Sequence, residues 1–320
     1  MTIDESGIVQ SVRARLLAVA ASSKADPNAI LTRYGIERFL YRLSLTPERD
    51  RFVLKGAMLV AAWLGLEARS TRDADLLGYG DLSPEEAARI VRGACEVACP
   101  EDGISFDPVS VNVETIRIGQ VYGGVRVTLQ GHLGRARVKI QVDIGAGDAT
   151  VPQPTRLEYP SLLNLPRPNL RVYRPESVVA EKLHAMVVLG VANTRLKDVF
   201  DVAVLSGHLP FRGPDLVAAI VATFERRRTV LPGRLPTVLE ESLSREPGRV
   251  AQWSAFLRRI RLSPDDHDFG SEAAKVRAFV GPALEAARFS ASGTLPWLTS
   301  WPPGGPWIPV DPAAGAEGKP

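Results

Sequence analysis

A chain of 320 residues that is 45% hydrophobic is long enough to bury the core of one large or two modest domains. Its 39 Lys and Arg against 36 Asp and Glu leave a formal charge of +3, which excludes a histone-like polycation and leaves local basic patches open. No run of about 18 uninterrupted apolar residues occurs, so neither a membrane span nor a membrane partner is expected.

The opening MTIDESGIVQSVRARLL lacks the basic-then-apolar order of a signal peptide, so a cytoplasmic location is expected. Residues 6 to 45 read as helices: VQSVRARLLAVAAS has apolar residues at helical spacing, and Asp26-Pro27 suits an N-cap and first turn. RFVLKGAMLVAAWLGL reads as a short strand, a turn at Gly56 and a buried helix. A strand carrying Asp73 and Asp75 comes next, then a helix capped by Ser83 with Pro84 in its first turn. Cys95 and Cys99, four apart in an expected helix, form neither a CxxC pair nor a zinc set, so reduced thiols are expected.

From 104 to 144 the period changes to two. VNVETIRI, GVRVTLQG and RARVKIQVDI, separated by glycines, predict a β-meander with one apolar and one polar face. The proline-rich stretch 151 to 174 reads as an extended crossing segment. Helices are expected again in PESVVAEKLHAMVVLG, RLKDVFDVAVLSG, GPDLVAAIVATFERRR and near 250–262 and 271–288. The Pro-, Gly- and Trp-rich tail from 291 is expected on the surface or partly disordered. The fold class is α+β, a mixed sheet core flanked by helices with a helical C-terminal half. The domain expectation is 1–174 for N-terminal helices plus sheet core, 175–290 for the helical domain, and 291–320 for the tail.

Chemistry concentrates in a few acids. On a strand, Asp73 and Asp75 point to the same face, two carboxylates that need a positive partner. Arg69 and Arg72 are one solution and a divalent cation is another, since hard cations take carboxylate oxygens. In RVKIQVDIGAGD, Asp143 shares its face with Lys139 and Gln141 and ends a strand; it is either turn chemistry or a third metal ligand. Three acids on adjacent strands can hold two Mg2+ ions for transfer from a triphosphate. The glycine turn in LKGAM, before a helix N-terminus, can offer backbone N–H groups to phosphates. Lys182 sits at the edge of the apolar stripe Val179, Leu183, Met186, Val187 and Gly190, and either snorkels or reaches a site. Asp198 and Asp201, at i and i+3, can pair with Arg195 and Lys197 or join that site.

In this order, FVLKGAMLVAAWLG…RSTRDADLLG, VKIQVDIGAGD, ESVVAEKLHAMVVLG and NTRLKDVFDVAVL resemble the AbiEii/AbiGii toxin family of nucleotidyltransferases, over about residues 35 to 230. The resemblance implies a DNA polymerase β-like nucleotidyltransferase core, a type IV toxin–antitoxin setting, and a winged-helix antitoxin encoded alongside. Some members of the family transfer nucleotides from an NTP to the 3′ end of tRNA. Carried over residue by residue, Lys55, Gly56 and Ala57 form the phosphate turn, and Asp73, Asp75 and Asp143 the Mg2+ ligands. Lys182 meets the triphosphate, and Asp198, with Asp201 as neighbour, is the acid of the KDxFD block. Ala57 stands where many polymerase β-like enzymes carry Ser or Gly, so no hydroxyl is present and the backbone N–H groups must serve.

The expected function is therefore a Mg2+-dependent nucleotidyltransferase toxin acting on RNA, most simply the tRNA 3′ end. A protein acceptor and an inert nucleotide-binding scaffold are the alternatives, and the scaffold sits poorly with three retained acids. The arginines 226–228 and Arg258, Arg259 and Arg261 end amphipathic helices, either as solvated caps or as RNA contacts. SPDDHDFG reads as a solvated turn rather than a metal cluster, and His184 as a packed core histidine.

Overall fold

The computed structural model describes residues 5–65, 73–118, 122–190, 196–290 and 297–310. The chain forms two compact units, Met1–Gly147 with Pro154–Tyr173, and Asp148–Gln153 with Arg174–Pro320.

The first unit opens with α1 (Glu5–Ser22), whose Val12, Leu16 and Ala20 are buried at the spacing of one helix turn. In α2 (Pro27–Leu45), Asp26 accepts a cap hydrogen bond from Asn28 N at 3.0 Å and Pro27 takes the first turn, as its sequence predicts. Next come β1 (Phe52–Lys55), α3 (Ala57–Leu64), β2 (Ala74–Gly78) and α4 (Pro84–Cys95), the last capped by Ser83. The meander is β3 (Ser105–Ile118), β4 (Tyr122–Leu133) and β5 (Ala136–Ala146). Two short strands, β6 (Thr155–Glu158) and β7 (Asn169–Val172), lie within the proline-rich segment. Pro152, Pro154, Pro160, Pro166 and Pro168 flank these strands rather than interrupt them, so the ladder loses no donor.

Among the described residues these strands make one mixed sheet in the order β3-β4-β5-β2-β1-β7-β6. β2 lies parallel to β5 and antiparallel to β1, and β7 adds parallel to β1. Val138, Ile140, Val142 and Ile144 of β5 are buried on one face. There α2 comes so close that a Cβ on Gly35 would stand 2.7 Å from Ile140 Cδ1 and 2.9 Å from Val138 Cγ1. A larger residue there would force those side chains to shift. A buried pair ties α2 to the turn that leads into β3, with the Arg42 fork meeting both Asp102 oxygens at 2.6 and 3.1 Å. The other face of β4 and β5 carries Arg126, Thr128, Gln130, Lys139, Gln141 and Asp143 and is left to polar chemistry. Cys95 and Cys99 are free and buried, and burial pushes the Cys95 thiol up to about 12.

The second unit contains α5 (Pro175–Leu189), α6 (Leu196–His208), β8 (Phe211–Arg212), α7 (Gly213–Arg226), α8 (Glu241–Ser244), α9 (Pro247–Arg259), α10 (Phe269–Ser290), β9 (Thr299–Trp301) and β10 (Ile308–Pro309). Val179, Leu183 and Met186 of α5 are fully buried, as the stripe predicts. Over residues 297–310 the tail lies largely at the surface, in line with its composition, but it is anchored at Trp301. Trp301 is buried, donates its indole N–H to Ser206 O at 2.7 Å, and lies 5.0 Å between centroids from Phe279. Trp307 stacks on the same Phe279 at 5.5 Å. Large indoles with a satisfied N–H outweigh the loop-forming prolines around them. Residues 311–320 lie outside the described residues. Among the described residues, no helix is long and apolar enough to cross a membrane.

Candidate active site

In the first unit, strand β1 ends at Lys55 and α3 begins at Ala57, so the whole turn is Gly56, with φ 74° and ψ −154°. An L side chain rarely adopts that backbone. A Cβ built there would also fall on Asp75 Oδ2, with Asp75 Cγ at 3.0 Å and Cβ at 3.1 Å. The missing side chain of Gly56 is the place that the Asp75 carboxylate occupies. The positive end of α3 therefore starts beside this acid.

Sheet register extends the site sideways. Lys55 pairs with Asp75, Asp75 with Asp143, Asp143 with Arg126, and Arg126 with Glu114. Partners in register share a face, so five strands present one transverse row of charge. Signs alternate along it except at the centre, where Asp75 and Asp143 are like-charged neighbours. Asp73 stands in a bend one residue before β2, two positions from Asp75, and its charge acts on Arg126. Ala74 between them is fully buried on the other face. At one flank, Lys55 is buried, its ammonium 5.7 Å from the Tyr173 ring centroid.

At the other flank, Arg126 grips Asp143 with two parallel bonds, Nε to Oδ1 at 2.8 Å and Nη2 to Oδ2 at 2.6 Å. Gln141 Nε2 also donates to Asp143 Oδ1 at 3.4 Å. The guanidinium is held above its ordinary range by the Asp143 hydrogen bonds foremost, and also by the charges of Asp143, Asp73 and Glu114. Arg126 is the site residue that the sequence reading missed. A signal for it existed, since counting outward from the two-residue turn Gly134-Arg135 pairs Arg126 with Asp143.

Among the described residues, no group of three or more His, Cys, Asp or Glu stands arranged as a metal cage. The donor chemistry still fits a hard divalent cation: Asp75 and Asp143 are in-register carboxylates on adjacent strands with Asp73 two positions before Asp75, and the like-charged centre of the row calls for positive charge. The pairing of these acids with Arg69 and Arg72 falls on residues outside those described.

In the second unit, α5 and α6 bring Lys182, Asp198 and Asp201 together. The ammonium lies 3.0 Å from Asp198 Oδ1 and 2.5 Å from Asp201 Oδ2, and Asp201 is fully buried. Lys182 is thus held between two carboxylates rather than snorkelling, and the acids use a lysine from the preceding helix. Arg195 lies outside the described residues. Beside Lys182 on α5 stands Glu181, and the Arg227 guanidinium at the end of α7 bridges it and Asp148, each at 3.2 Å. Arg227 is therefore committed to ion pairs within this unit, where the sequence left it between a solvated cap and an RNA contact. Arg226, Arg228, Arg258, Arg259 and Arg261 are exposed.

His184 is packed as expected. Its ring meets Phe224 edge-on at 5.1 Å, and Nε2 lies 2.9 Å from Thr229 Oγ1. Burial first, then the Arg227 guanidinium, push the imidazole down to about 4. The SPDDHDFG segment is a helix start: Asp268 Oδ2 accepts from Ser271 N at 2.9 Å to cap α10, and His267 Nδ1 lies 3.3 Å from Glu272.

The sequence matches the family described as Nucleotidyl transferase AbiEii toxin, Type IV TA system, over residues 38–283. No curated protein matches the chain. The fold is similar to MenT4, a nucleotidyltransferase toxin from Mycobacterium tuberculosis H37Rv, at 18% identity and TM-score 0.48, covering 85% of this chain and 98% of that one. It is also similar to JHP933 from Helicobacter pylori, at 14% identity and TM-score 0.47, covering 84% and 97%. A third likeness is a structure titled putative nucleotidyltransferase from H. pylori, at 15% identity and TM-score 0.44, covering 84% and 98%.

Proposed function

Because the chain belongs to the AbiEii family of nucleotidyltransferase toxins of type IV toxin–antitoxin systems, we propose that the charged row of its first unit carries Mg2+-dependent nucleotidyl transfer from an NTP to RNA, at the tRNA 3′ end. The observation that carries this reading is the abutment of Gly56 and Asp75, which sets a helix N-terminus and its turn against the first of two in-register acids. Backbone N–H groups at Gly56 and Ala57 suit phosphate oxygens, and Lys55 adds positive charge on the same row. Asp73, Asp75 and Asp143 would hold the metal. When bound, Mg2+ supplies charge neutralisation on the triphosphate and lowers the pKa of the attacking hydroxyl. The family resemblance assigns Lys182 to the phosphates, with Asp198 and Asp201 orienting its ammonium. The exposed arginines 226, 228, 258, 259 and 261 suit an acceptor rich in phosphates. The partner that restrains the toxin is an antitoxin, here proposed to be of the winged-helix kind.

The test incubates the protein with each α-labelled NTP, total tRNA and lysate protein. Label is expected in the tRNA band, and none with Asp75→Asn, whose thermal midpoint should be unchanged or higher because carboxylate repulsion is relieved. Label confined to protein bands would overturn the RNA acceptor. Undiminished transfer by Asp75→Asn would overturn the site.

A further inference from the structure

Asp143 is the acid of the row that meets both its like-charged neighbour and a guanidinium. Strand order puts these on opposite flanks, with Arg126 on β4 at one side and Asp75 on β2 at the other. A carboxylate has about four lone-pair positions. The Arg126 fork takes one on each oxygen, at 2.8 and 2.6 Å, and Gln141 Nε2 approaches Oδ1 at 3.4 Å, so the remaining capacity is greatest on Oδ2. Two parallel bonds to a planar group also fix the carboxylate's rotation, which a single-point contact cannot do. Arg126 is itself held to this face by its strand and by register with Glu114. It lies in none of the segments that carry the family resemblance.

We infer that Arg126 is a positioning residue for nucleotidyl transfer, which locks the Asp143 carboxylate with its remaining lone-pair capacity turned toward the Asp73 and Asp75 side, ready for a divalent cation. The inference rests on the proposed metal site. Arg126 touches neither the triphosphate nor the acceptor in this role; it acts through Asp143. Removing it leaves Asp143 free to rotate and to swing away from Asp75. A group that orients a metal ligand is worth about 10- to 100-fold in metal affinity. The competing possibility has the opposite sign: an arginine that merely blocks Asp143 would, once removed, let the cation bind more tightly.

The experiment titrates Mn2+ into the nucleotide-free protein, by calorimetry and by the electron-spin signal of the free ion. Wild type, Arg126→Met, Arg126→Lys and Asp75→Asn are compared, with thermal unfolding to confirm that each is folded. Arg126 is partly exposed, so these variants are expected to fold. The expected result is a loss of Mn2+ affinity of about 10-fold or more in Arg126→Met. Arg126→Lys should fail to restore it, because a point charge replaces the fork. At saturating NTP and Mg2+, kcat for transfer should fall while KM for NTP stays close to wild type. Unchanged or tighter Mn2+ binding in Arg126→Met would overturn the inference. If that happens while Asp75→Asn still abolishes binding, only the role of Arg126 falls. If wild type binds no Mn2+, or Asp75→Asn binds it as well as wild type, the metal site and the inference fall together.

Discussion

Replacing Gly56 with alanine tests whether the turn and the acid are built as one piece. Two costs can be separated. The backbone at φ 74°, ψ −154° is a conformation that alanine reaches only with strain, worth roughly 1–3 kcal/mol. The new methyl also lands on the Asp75 carboxylate, with Cγ at 3.0 Å and Cβ at 3.1 Å. Something must shift, and overpacking of this kind costs about 1–3 kcal/mol. Asp75 is anchored in β2 between two paired strands, so its carboxylate rather than its backbone has to give. The sum is roughly 2–6 kcal/mol, a large share of the ~5–15 kcal/mol that holds a typical protein folded. Urea unfolding of wild type, Gly56→Ala, Asp75→Ala and the double variant closes a cycle. The steric part should vanish in the Asp75→Ala background, giving a coupling of about 1 kcal/mol or more, while the backbone part stays. Transfer by Gly56→Ala should be lost even where it remains folded. A Gly56→Ala protein within about 0.5 kcal/mol of wild type would refute the reasoning.

Lys182→Met should destabilise the protein by about 3–5 kcal/mol in urea, because Asp198 and the fully buried Asp201 lose the cation between them. A loss below about 1 kcal/mol would show that the two acids do not depend on Lys182 to balance their charge. His184 supplies a pH dependence: its imidazole is lowered from 6.5 to about 4, so the unfolded chain binds the extra proton first. Stability from this residue is complete above about pH 6.5 and declines as pH falls toward 4, by about 3 kcal/mol in all. His184→Gln should lack that slope in a series of urea midpoints. Parallel slopes for the two proteins would show that another group is titrating.

Local chemistry alone was enough to read much of this protein. Asp26-Pro27 and Ser83-Pro84 mark helix starts by their own side chains, and the alternation of RARVKIQVDI sets which face of β5 carries Asp143. The strand, glycine and helix of FVLKGAMLVAAWL also follow from their own residues. What stayed hidden depends on residues distant in the chain. That β2 lies parallel beside β5, putting Asp75 level with Asp143 from 68 positions away, comes from how the strands share a hydrophobic face. No motif around Asp75 states which strand will be its neighbour. The partners of Lys182 and the commitment of Arg227 were likewise decided by helix packing, since an i, i+3 spacing says which face an acid is on but not what stands opposite. The anchor of the Trp-rich tail was hidden for the same reason: composition reports that prolines resist regular structure, whereas burial of Trp301 against Phe279 depends on a helix residue 22 positions earlier. The sequence by itself determined which residues carry charge and which face they take. Tertiary structure alone decided which charges meet, because register and helix packing are set by the burial of the apolar residues on the opposite side.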